Sequence, residues 1–378
     1  MAARRKPAID AEFDRRMMAA ALRLGRRNLG QTHPNPAVGC VIVKTEGENH
    51  VVVGRGWTAV GGRPHAEREA LSEAGAAAKG ATAYVTLEPC AHQGRSKPCA
   101  EALVAAGVAR VVTAMEDPDP RTAGKGHALL KEAGIAVTTG VLAAEAAEAH
   151  SGHMARVLKG RPHVTLKLAV SADGMIGRRE GERMIVTGKP AFDAVQVMRS
   201  EFDVVMVGIG TVLVDDPVLT IRLPGMAKRS PARAILDSEA RIPPTARLLQ
   251  TEDAPLIVFT GKEVAVERAA ALKAAHAELV PVADGPGGLD LTAVMAHLAE
   301  KGHARVLVEG GAEVASSLVA ADMLDEVVIF RAPVVVGPDG VRALGGTALS
   351  AIERSPRYRQ VDVTQVGEDV MRRYVRAA

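Results

Sequence analysis

The stretch ATAYVTLEPCAHQGRSKPCAEALVAAG, residues 81–107, contains a strand, a long loop and a helix in direct succession. Its first seven residues are mostly apolar, β-branched or aromatic, which is typical of a buried strand. Pro98 suits the first turn of a helix and Gly107 suits its end, so a helix is predicted between them. Cys90 follows the strand and Cys99 begins the helix, so the loop joins two thiols at element junctions.

The same alternation continues on both sides of this stretch. Segments with helical periodicity alternate with short apolar runs. The predicted elements are a helix in AEFDRRMMAAALRLG, strands AVGCVIV (37–43) and HVVVGRGW (50–57), a helix from Pro64 or His65 to about Ala78, strand ARVVTAM, helix HALLKEAG, strand IAVTTGV and a helix in LAAEAAEAHSGHMA. This succession predicts an α/β fold with helices on both faces of a sheet.

A basic linker that contains Gly and Pro, RVLKGRPH (156–163), is followed by a second series of predicted α/β elements. Its predicted strands are HVTLKLAVS, FDVVMVGIG, ARAILDS, PLIVFTG, ARVLVEGG and DEVVIFRAPVVVG. The two halves share no fixed period, which indicates two different domains rather than a duplication. A chain of 378 residues is long enough for two domains, and we predict them at residues 1–160 and 161–378.

Composition narrows the possible functions. A formal net charge of +3, with three Tyr and one Trp, counts against a nucleic-acid-binding protein, which needs a clustered basic surface and aromatic side chains for stacking. The N-terminal stretch MAARRKPAIDAEFDRRM is charged throughout, and the longest strongly apolar run, VVMVGIGTVLV (204–214), is much shorter than the roughly 20 residues of a membrane span. Three cysteines do not form the pattern of a disulfide framework. We therefore expect a cytoplasmic protein that binds neither nucleic acid nor membrane.

Three residues at predicted element junctions indicate a metal centre: His65, Cys90 and Cys99. A helix N-terminus and a divalent cation both favour a thiolate. One imidazole and two thiolates match the ligand set of catalytic zinc, which keeps a fourth position for water. Glu67 is not needed as a ligand, so it is free to take a proton from that water and pass it to a leaving amine.

Simpler interpretations of these residues stay open. A lone H-x-E is usually an exposed pair on a helix, and buried cysteines are often only small apolar side chains. His92 as a fourth ligand would close the site into a structural one, although its spacing from Cys90 is awkward for binding the same ion. Cys40 lies in a run of Val and Ile and is interpreted as a buried strand thiol.

The order H-x-E, P-C and P-C resembles the zinc-dependent nucleobase deaminases. The long loop AHQGRSKP between the cysteines and the segment THPNPAVGCVIV (32–43) resemble one branch in particular, the deaminase half of the bifunctional riboflavin-biosynthesis deaminase–reductases. The resemblance implies a cytidine-deaminase-like α/β/α sandwich with one Zn²⁺. It also implies hydrolytic deamination of 2,5-diamino-6-(5-phosphoribosylamino)pyrimidin-4-one, with Asn35, His92 and Arg95 in contact with this substrate.

The second half contains VEGGAEVASSL, in which a double glycine stands between a strand and a helix. A phosphate can approach backbone N–H groups at such a junction, although the G-x-G-x-x-G fingerprint of dinucleotide-binding folds is absent. Together with KLAVSADGMIG (167–177) and GTVLVDDPVLTIR, this segment resembles the reductase half of the same family. The resemblance implies a dihydrofolate-reductase-like α/β fold and reduction of the ring-opened ribose to a ribityl chain by NADPH.

The resemblance also implies site residues for this half. The cofactor contacts are Val170, Ile185, Thr211, Asp215, Ser238, Gly311, Ala312, Glu313, Val314, Ala315, Ser316 and Ser317. The substrate contacts are Arg183, Arg199, Leu219, Arg222 and Glu309. Arg199 and Arg222 suit a phosphate because a guanidinium donates two parallel hydrogen bonds.

Two positions depart from the family pattern. Family members can carry an aromatic residue at the position of Ile185 and often a small polar one at that of Arg183, so only backbone contacts are expected there. Lys167 and Asp173 are polar groups in or beside an apolar strand. They either shape the pocket or pair with each other.

Three functions compete on these features. The first is a bifunctional enzyme that deaminates and then reduces one phosphorylated pyrimidine, and it is favoured. The second is a zinc deaminase whose C-terminal half is a nucleotide-binding regulatory module. The third is a nucleic-acid-editing deaminase, which the scarcity of aromatic side chains disfavours. For the favoured function we expect a homo-oligomer, either a dimer or a tetramer.

Overall fold

The structure is a computed structural model that describes residues 10–93, 97–178 and 184–377. Arg95 and Arg183, two of the predicted substrate contacts, lie outside these described residues. The chain divides into two compact units, Met1–Gly160 and Arg161–Ala378, and each has its own main sheet. Across the described ranges, every helix is too short or too polar to span a membrane.

The Met1–Gly160 unit is built on a five-stranded sheet with the order β2-β1-β3-β4-β5. Its strands are β1 (Gly39–Glu46), β2 (Asn49–Trp57), β3 (Thr82–Val85), β4 (Arg110–Thr113) and β5 (Ala136–Thr138). Its helices are α1 (Ala11–Gly25), α2 (Ala66–Ala74), α3 (Cys99–Ala105), α4 (Lys125–Glu132), α5 (Ala143–Ala149) and α6 (Ser151–Lys159). The strands β3, β4 and β5 run parallel, whereas β1 is antiparallel to both of its neighbours. The carboxyl end of β3 therefore points toward the loop that carries Cys90.

Successive residues of β1 alternate between the two faces of this sheet. Cys40 and Ile42 belong to an apolar cluster with side chains of α2, α3 and α4. Val41 and Val43 belong to a second cluster with side chains of α1 and α5. The unit is thus an α/β/α sandwich, as the sequence predicts.

The Arg161–Ala378 unit is built on a nine-stranded sheet with the order β11-β10-β9-β8-β14-β6-β15-β18-β17. Its strands are β6 (His163–Val170), β7 (Met175–Arg178), β8 (Val204–Gly208), β9 (Ala232–Leu236), β10 (Leu256–Thr260), β11 (Glu278–Pro281), β12 (Asp284–Gly285), β13 (Gly288–Leu289), β14 (Arg305–Glu309), β15 (Glu326–Arg331), β16 (Gly340–Arg342), β17 (Tyr358–Val366) and β18 (Asp369–Arg376). Its helices are α7 (Lys189–Arg199), α8 (Ile209–Asp215), α9 (Val266–Ala274), α10 (Leu291–Glu300), α11 (Ala312–Ala320) and α12 (Ser350–Glu353).

Seven neighbouring strands of this sheet, from β11 to β15, run parallel, and the β17–β18 hairpin continues it with antiparallel pairing. One face packs against α10 and α11. The other face packs against α8 and α9, and against α7 near β15. Because parallel strands end at the same edge, the carboxyl ends of β6, β8, β9 and β14 lie side by side.

The elements differ from the sequence predictions at several places. The segment predicted as one helix around His150 is two helices, α5 and α6, which meet at that residue. The last strand of the predicted series ends at Arg331 instead of continuing through PVVVG. The β17–β18 hairpin was not predicted, because its exposed edge strand carries alternating polar residues and has no long apolar run.

Candidate metal centre and reductase site

The three predicted metal ligands come together at the amino ends of two helices. His65 is the N-cap residue of α2, and Cys99 is the first residue of α3. Cys90 follows β3 and approaches the start of α3, where the Cys99 backbone N–H lies 3.3 Å from the Cys90 Sγ. The His65 Nδ1 lies 3.8 Å from the Cys90 Sγ and 3.4 Å from the Cys99 Sγ. The ligand atoms of these three residues all lie within 4.8 Å of one another.

This donor set fits zinc. Zn–S and Zn–N bonds of about 2.3 and 2.05 Å at tetrahedral angles place a sulfur and a nitrogen ligand about 3.6 Å apart, and both observed S–N distances lie close to that value. Among the described residues, the cluster contains these three groups and not His92. His92 Nδ1 instead lies 3.4 Å from the Thr122 Oγ1. The geometry therefore favours a three-ligand site over a closed four-ligand one.

The electrostatics of the thiols also favour a cation. The hydrogen bond from the Cys99 thiol lowers the pKa of Cys90 to about 4. The same bond, together with burial, raises the pKa of Cys99 well above its usual range. The two thiols thus share one negative charge, and a divalent cation between them would stabilise the second thiolate.

Glu67 lies on the first turn of α2, beside the three ligands, and is almost completely buried. The pKa of its carboxyl is raised to about 7, mainly because the group is buried and also because of the negative charge of Cys90. A carboxyl with this pKa can accept and release a proton near neutral pH. It is therefore not the exposed surface pair that a lone H-x-E usually represents.

A cavity of about 330 Å³ opens onto the metal cluster. Its walls carry the predicted substrate contacts Asn35 and His92. The Asn35 amide donates to the carbonyl of Gly62 at 2.8 Å, which fixes its orientation at the cavity wall. The cavity is thus large enough for a small heterocycle and is lined by polar side chains near the proton carrier.

Several polar lining residues were not predicted from the sequence. These residues are Arg63, Glu88, Asp117, Asp119, Arg121, Thr122, His153 and Arg156. The Asp-Pro-Asp-Pro run at 117–120 is typical of a turn, and it was the one feature of the sequence that could have indicated Asp117 and Asp119. The others come from separate elements, so no local pattern joins them.

In the second unit, the predicted substrate residues Arg199 and Glu309 form a buried ion pair. Nε and Nη2 of Arg199 donate to the two carboxylate oxygens at 2.5 and 2.9 Å, and Nη1 donates to the carbonyl of Thr220 at 2.8 Å. The Lys167 ammonium lies 3.8 Å from the same carboxylate. Burial raises the pKa of Glu309, but the charges of Arg199 and Lys167 outweigh it and hold the pKa below its usual range. Burial lowers the pKa of Lys167, and the carboxylates of Glu309 and Asp215 oppose that effect.

Lys167 and Asp173 do not pair with each other. Lys167 belongs to the Arg199–Glu309 cluster just described. Asp173 accepts hydrogen bonds from the Ser171 hydroxyl and from the backbone N–H groups of Val336 and Gly337, at 2.6 to 3.1 Å. Asp173 therefore holds a loop, while Lys167 is a functional candidate that the sequence analysis left unassigned.

The double glycine after β14 forms the predicted turn at the start of α11. Gly310 and Gly311 have φ values of 91° and 87°, which an L side chain rarely adopts. A Cβ built on Gly311 would lie 3.5 Å from the Thr211 Oγ1 of α8. The starts of α8 and α11 therefore lie side by side at the carboxyl ends of β8 and β14, which is where open α/β sheets bind ligands.

The remaining predicted contacts of this unit differ in burial and position. Val170, Ala315 and Leu219 are buried in the apolar clusters, so only their backbone groups can meet a ligand. The Ser316 hydroxyl donates to the Leu344 carbonyl at 2.7 Å, whereas the side chain of Ile185 is 77% exposed. Among the other predicted contacts, Asp215 is the last residue of α8, Ser238 follows β9 by two residues, and α11 carries Ala312, Glu313, Val314 and Ser317. The guanidinium of Arg222 lies 5.3 Å from the ring centre of Phe192.

Two family models match the chain. Residues 11–115 match the cytidine and deoxycytidylate deaminase zinc-binding region. Residues 162–372 match the RibD C-terminal domain. Together with the geometry, these matches confirm the predicted fold class and the predicted cofactors, Zn²⁺ and NADPH.

Full-length relatives and solved structures agree with the two models. The riboflavin biosynthesis protein RibD of Aquifex aeolicus is 39% identical over 360 residues, covering 95% of this chain and 98% of that protein. RibD of Escherichia coli is 39% identical over 370 residues, covering 94% of this chain and 98% of that protein.

The solved structure of Acinetobacter baumannii RibD has a TM-score of 0.85 and 36% identity, over 98% of this chain and 100% of that one. The Thermotoga maritima diaminohydroxyphosphoribosylaminopyrimidine deaminase/5-amino-6-(5-phosphoribosylamino)uracil reductase has a TM-score of 0.83 and 31% identity, over 97% of this chain and 99% of that one. The chain therefore belongs to the RibD family and is a bifunctional deaminase and reductase of riboflavin biosynthesis.

Proposed function

We propose that the Met1–Gly160 unit deaminates 2,5-diamino-6-(5-phosphoribosylamino)pyrimidin-4-one and that the Arg161–Ala378 unit then reduces the ribosyl group of the product to ribityl. The observation that carries the first step is the buried Glu67 carboxyl beside the His65, Cys90 and Cys99 cluster. The name of the Thermotoga maritima protein, which joins a deaminase of this kind to a uracil reductase, supports the order of the two steps.

For deamination, His65, Cys90 and Cys99 would hold the zinc ion. When bound there, zinc lowers the pKa of a water molecule so that it can attack a ring carbon at neutral pH. Glu67 takes a proton from the attacking water and delivers it to the ring amino group, which leaves as ammonia. Its pKa of about 7 suits both transfers, because the carboxyl must be ionised first and protonated afterwards.

For substrate binding in this unit, we propose that Asn35 and His92, which both line the cavity, orient the pyrimidine. The Asn35 side chain is held by Gly62 and the His92 side chain by Thr122, so both are oriented before a ligand arrives. Preorganised donors and acceptors lose less conformational entropy when they bind. Arg95 stays a proposed phosphate contact from the loop between the two cysteines.

For reduction, NADPH supplies a hydride to the C1′ carbon of the ring-opened ribose. We propose that the cofactor lies at the Gly310–Gly311 turn, against the amino end of α11 and the neighbouring Thr211 and Asp215. Backbone N–H groups at a helix start and a turn of positive φ suit a phosphate. We also propose that the cofactor contacts Val170, Ile185, Ser238 and the residues from Ala312 to Ser317. The apolar residues among them contact it through their backbone groups.

Hydride addition also needs a proton donor, and Lys167 is the proposed one. Its ammonium is buried against Glu309, and burial lowers its pKa, so it releases a proton more readily than an exposed lysine. Glu309 keeps the ammonium in place, and Arg199 in turn orients Glu309. Because the guanidinium of Arg199 already pairs with Glu309, we propose that Arg199 positions Glu309. Arg222 then contacts the substrate phosphate in place of Arg199. Leu219 and Arg183 stay proposed substrate contacts through the backbone.

We further propose that the protein works in the cytoplasm, where reducing conditions keep Cys90 and Cys99 as thiols and NADPH is available. The homo-oligomer stays a prediction, which light scattering on the purified protein would test.

The experiment that tests the function separates the two half-reactions in the full-length protein. Glu67→Gln removes the proton carrier but keeps the shape of the side chain. We expect zinc content and NADPH oxidation with deaminated substrate to match the wild type, while ammonia release falls by about 10²- to 10⁴-fold, the usual contribution of a general base.

The matched control is Glu69→Gln, which changes an exposed carboxylate two residues further along the same helix. It should leave both reactions unchanged. Normal ammonia release by the Glu67→Gln variant would show that Glu67 is a bystander. Absence of NADPH oxidation by the wild type with deaminated substrate would contradict the proposed reductase function.

A further inference from the structure

The Glu88 side chain is buried and lines the deaminase cavity. It follows β3 by three residues and precedes Cys90 by two. Its side chain has 0% exposure. One carboxylate oxygen accepts hydrogen bonds from the backbone N–H groups of Asp117 and Gly124 at 3.2 and 2.9 Å, and the other accepts from that of His127 at 3.0 Å. A single carboxylate thus holds three amides of one segment.

Two of these amides belong to the amino end of α4. Gly124 is the N-cap residue of this helix and has no side chain that could cap it, and His127 is the third helical residue. The first N–H groups of a helix have no partner within it, and a carboxylate near them is also favoured by the helix dipole. Glu88 therefore caps α4 from a position 36 residues earlier in the chain.

A metal ion does not explain this cluster. Glu88, Glu116 and His127 have the spacing of a possible metal site. Both carboxylate oxygens of Glu88, however, already accept hydrogen bonds from backbone N–H groups. The Nε2 of His127 lies 3.0 Å from the Thr113 Oγ1. The bonds to the backbone point to a structural clamp on the loop.

The clamped segment, residues 117–124, forms one wall of the cavity. Asp117, Asp119, Arg121 and Thr122 of this segment line it. Asp117 also accepts a hydrogen bond from the backbone N–H of Asp119 at 2.9 Å and pairs with the Nε2 of His153 at 2.9 Å. Thr122 contacts the ring of His92, a proposed substrate contact. The position of this wall therefore sets where the substrate's polar groups can bind.

The metal ligand Cys90 is held by other contacts. Its Sγ lies 3.3 Å from the backbone N–H of Cys99, and its carbonyl accepts the N–H of Ala100 at 3.2 Å. These bonds anchor Cys90 to the start of α3 without Glu88. A change at Glu88 should therefore move the cavity wall and leave the ligand set in place.

We propose that Glu88 is a positioning residue for deamination, which fixes the 117–124 wall against the substrate. This inference rests on the proposed deaminase function and adds a specificity element to its site. The carboxylate group matters because its two oxygens accept hydrogen bonds from all three N–H groups. A glutamine of the same shape would turn an NH₂ donor toward at least one of them and lose that hydrogen bond.

The test is Glu88→Gln in the full-length, zinc-loaded protein. We expect the KM for the diaminopyrimidine substrate to rise about 10- to 100-fold, the scale of losing a charge-assisted hydrogen bond. The kcat should change by less than about threefold, and zinc content and NADPH oxidation with deaminated substrate should stay at wild-type levels. In hydrogen exchange, the amides of Asp117, Gly124 and His127 should exchange faster than in the wild type.

Glu101→Gln is the control, because Glu101 is exposed on α3 and should leave KM unchanged. Glu88→Asp is the second variant, because it keeps the carboxylate on a side chain that is one methylene shorter. Its KM should lie between those of Glu88→Gln and the wild type. Reduction by the same chain reports that the reductase unit of each variant is folded, and the kcat for deamination reports the same for the deaminase unit.

Wild-type KM in both Glu88 variants would overturn the proposal, even if their melting temperatures fall. Loss of zinc in Glu88→Gln would also overturn it, because Glu88 would then act through Cys90. Failure of the proposed deaminase function is distinct, since the wild type itself would then release no ammonia.

Discussion

Arg199, the last residue of α7, and Glu309, the last residue of β14, form a two-point ion pair, with Nε–Oε1 and Nη2–Oε2 distances of 2.5 and 2.9 Å. Both side chains are less than 10% exposed. Removing one partner of a buried pair leaves an uncompensated charge. Arg199→Met should therefore lower the free energy of unfolding by about 3–5 kcal/mol and abolish reduction, while ammonia release continues. Urea unfolding and the two half-reaction assays measure these effects.

The exposed pair Lys189–Asp193 supplies the control for this prediction, since the Lys189 side chain is 81% exposed. Lys189→Met should cost less than about 1 kcal/mol, as exposed pairs usually do. Equal losses of stability in the two variants would mean that Glu309 keeps a partner, or reaches water, without Arg199.

Cys99 and Cys40 should respond differently to removal. Cys99→Ala takes away one of three metal ligands, so zinc content should fall from about one ion per chain to near zero and ammonia release should be lost with it. Cys40→Ala is the matched control, because Cys40 is fully buried in β1 and burial raises its pKa well above the usual range. That variant should keep its zinc and lose only some stability. Metal analysis of both proteins decides the matter, and zinc loss from Cys40→Ala would contradict the ligand assignment.

The turn at Gly311 should matter for NADPH. Its φ of 87° disfavours any L side chain, although a Cβ there meets its nearest neighbour, the Thr211 Oγ1, at an ordinary 3.5 Å. With φ 87° and ψ 110° at this residue, Gly311→Ala should cost about 1–3 kcal/mol of backbone strain and raise the KM for NADPH several-fold, because the turn presents the α11 amides. Gly225→Ala introduces similar strain at a φ of 77° with nothing within 4 Å. Its KM for NADPH should be normal, and an equal rise in both variants would remove the turn from the cofactor site.

The sequence was informative where function depends on local structure. His65, Cys90 and Cys99 each stand at the junction of a strand or loop with a helix, and local periodicity and Pro residues locate such junctions well. The resemblance in motifs then identified the family, and the matches over nearly the whole chain confirm the predicted function. Arg199 and Glu309 were also predicted as site residues, although as substrate contacts rather than as partners of each other.

The contacts that position these groups could not be predicted. Glu88 and its amide partners are 29 to 39 residues apart, and Arg199 and Glu309 are 110 apart. Such pairs depend on strand order and on how α4 and α7 pack, which no short segment encodes. Lys167 illustrates the same limit: a lysine in an apolar strand has no evident role until β14 brings Glu309 beside it.

Acid should destabilise the reductase unit through His163, the first residue of β6. Burial, and then the positive charge of Arg305, lowers its pKa from 6.5 to about 4. The folded unit therefore resists protonation, and the unfolded chain binds more protons between pH 6.5 and pH 4. The neutral His163 therefore contributes its whole share of the free energy of unfolding above pH 6.5. This contribution is lost as the pH falls from 6.5 to 4, and the loss is roughly 2 kcal/mol at pH 5.

Calorimetry at pH 7.5 and pH 5 should show a smaller loss of stability in His163→Gln than in the wild type. His276→Gln, which changes an exposed histidine, should behave like the wild type. An unchanged pH dependence in His163→Gln would show that this imidazole is protonated as easily in the folded unit as in the unfolded chain.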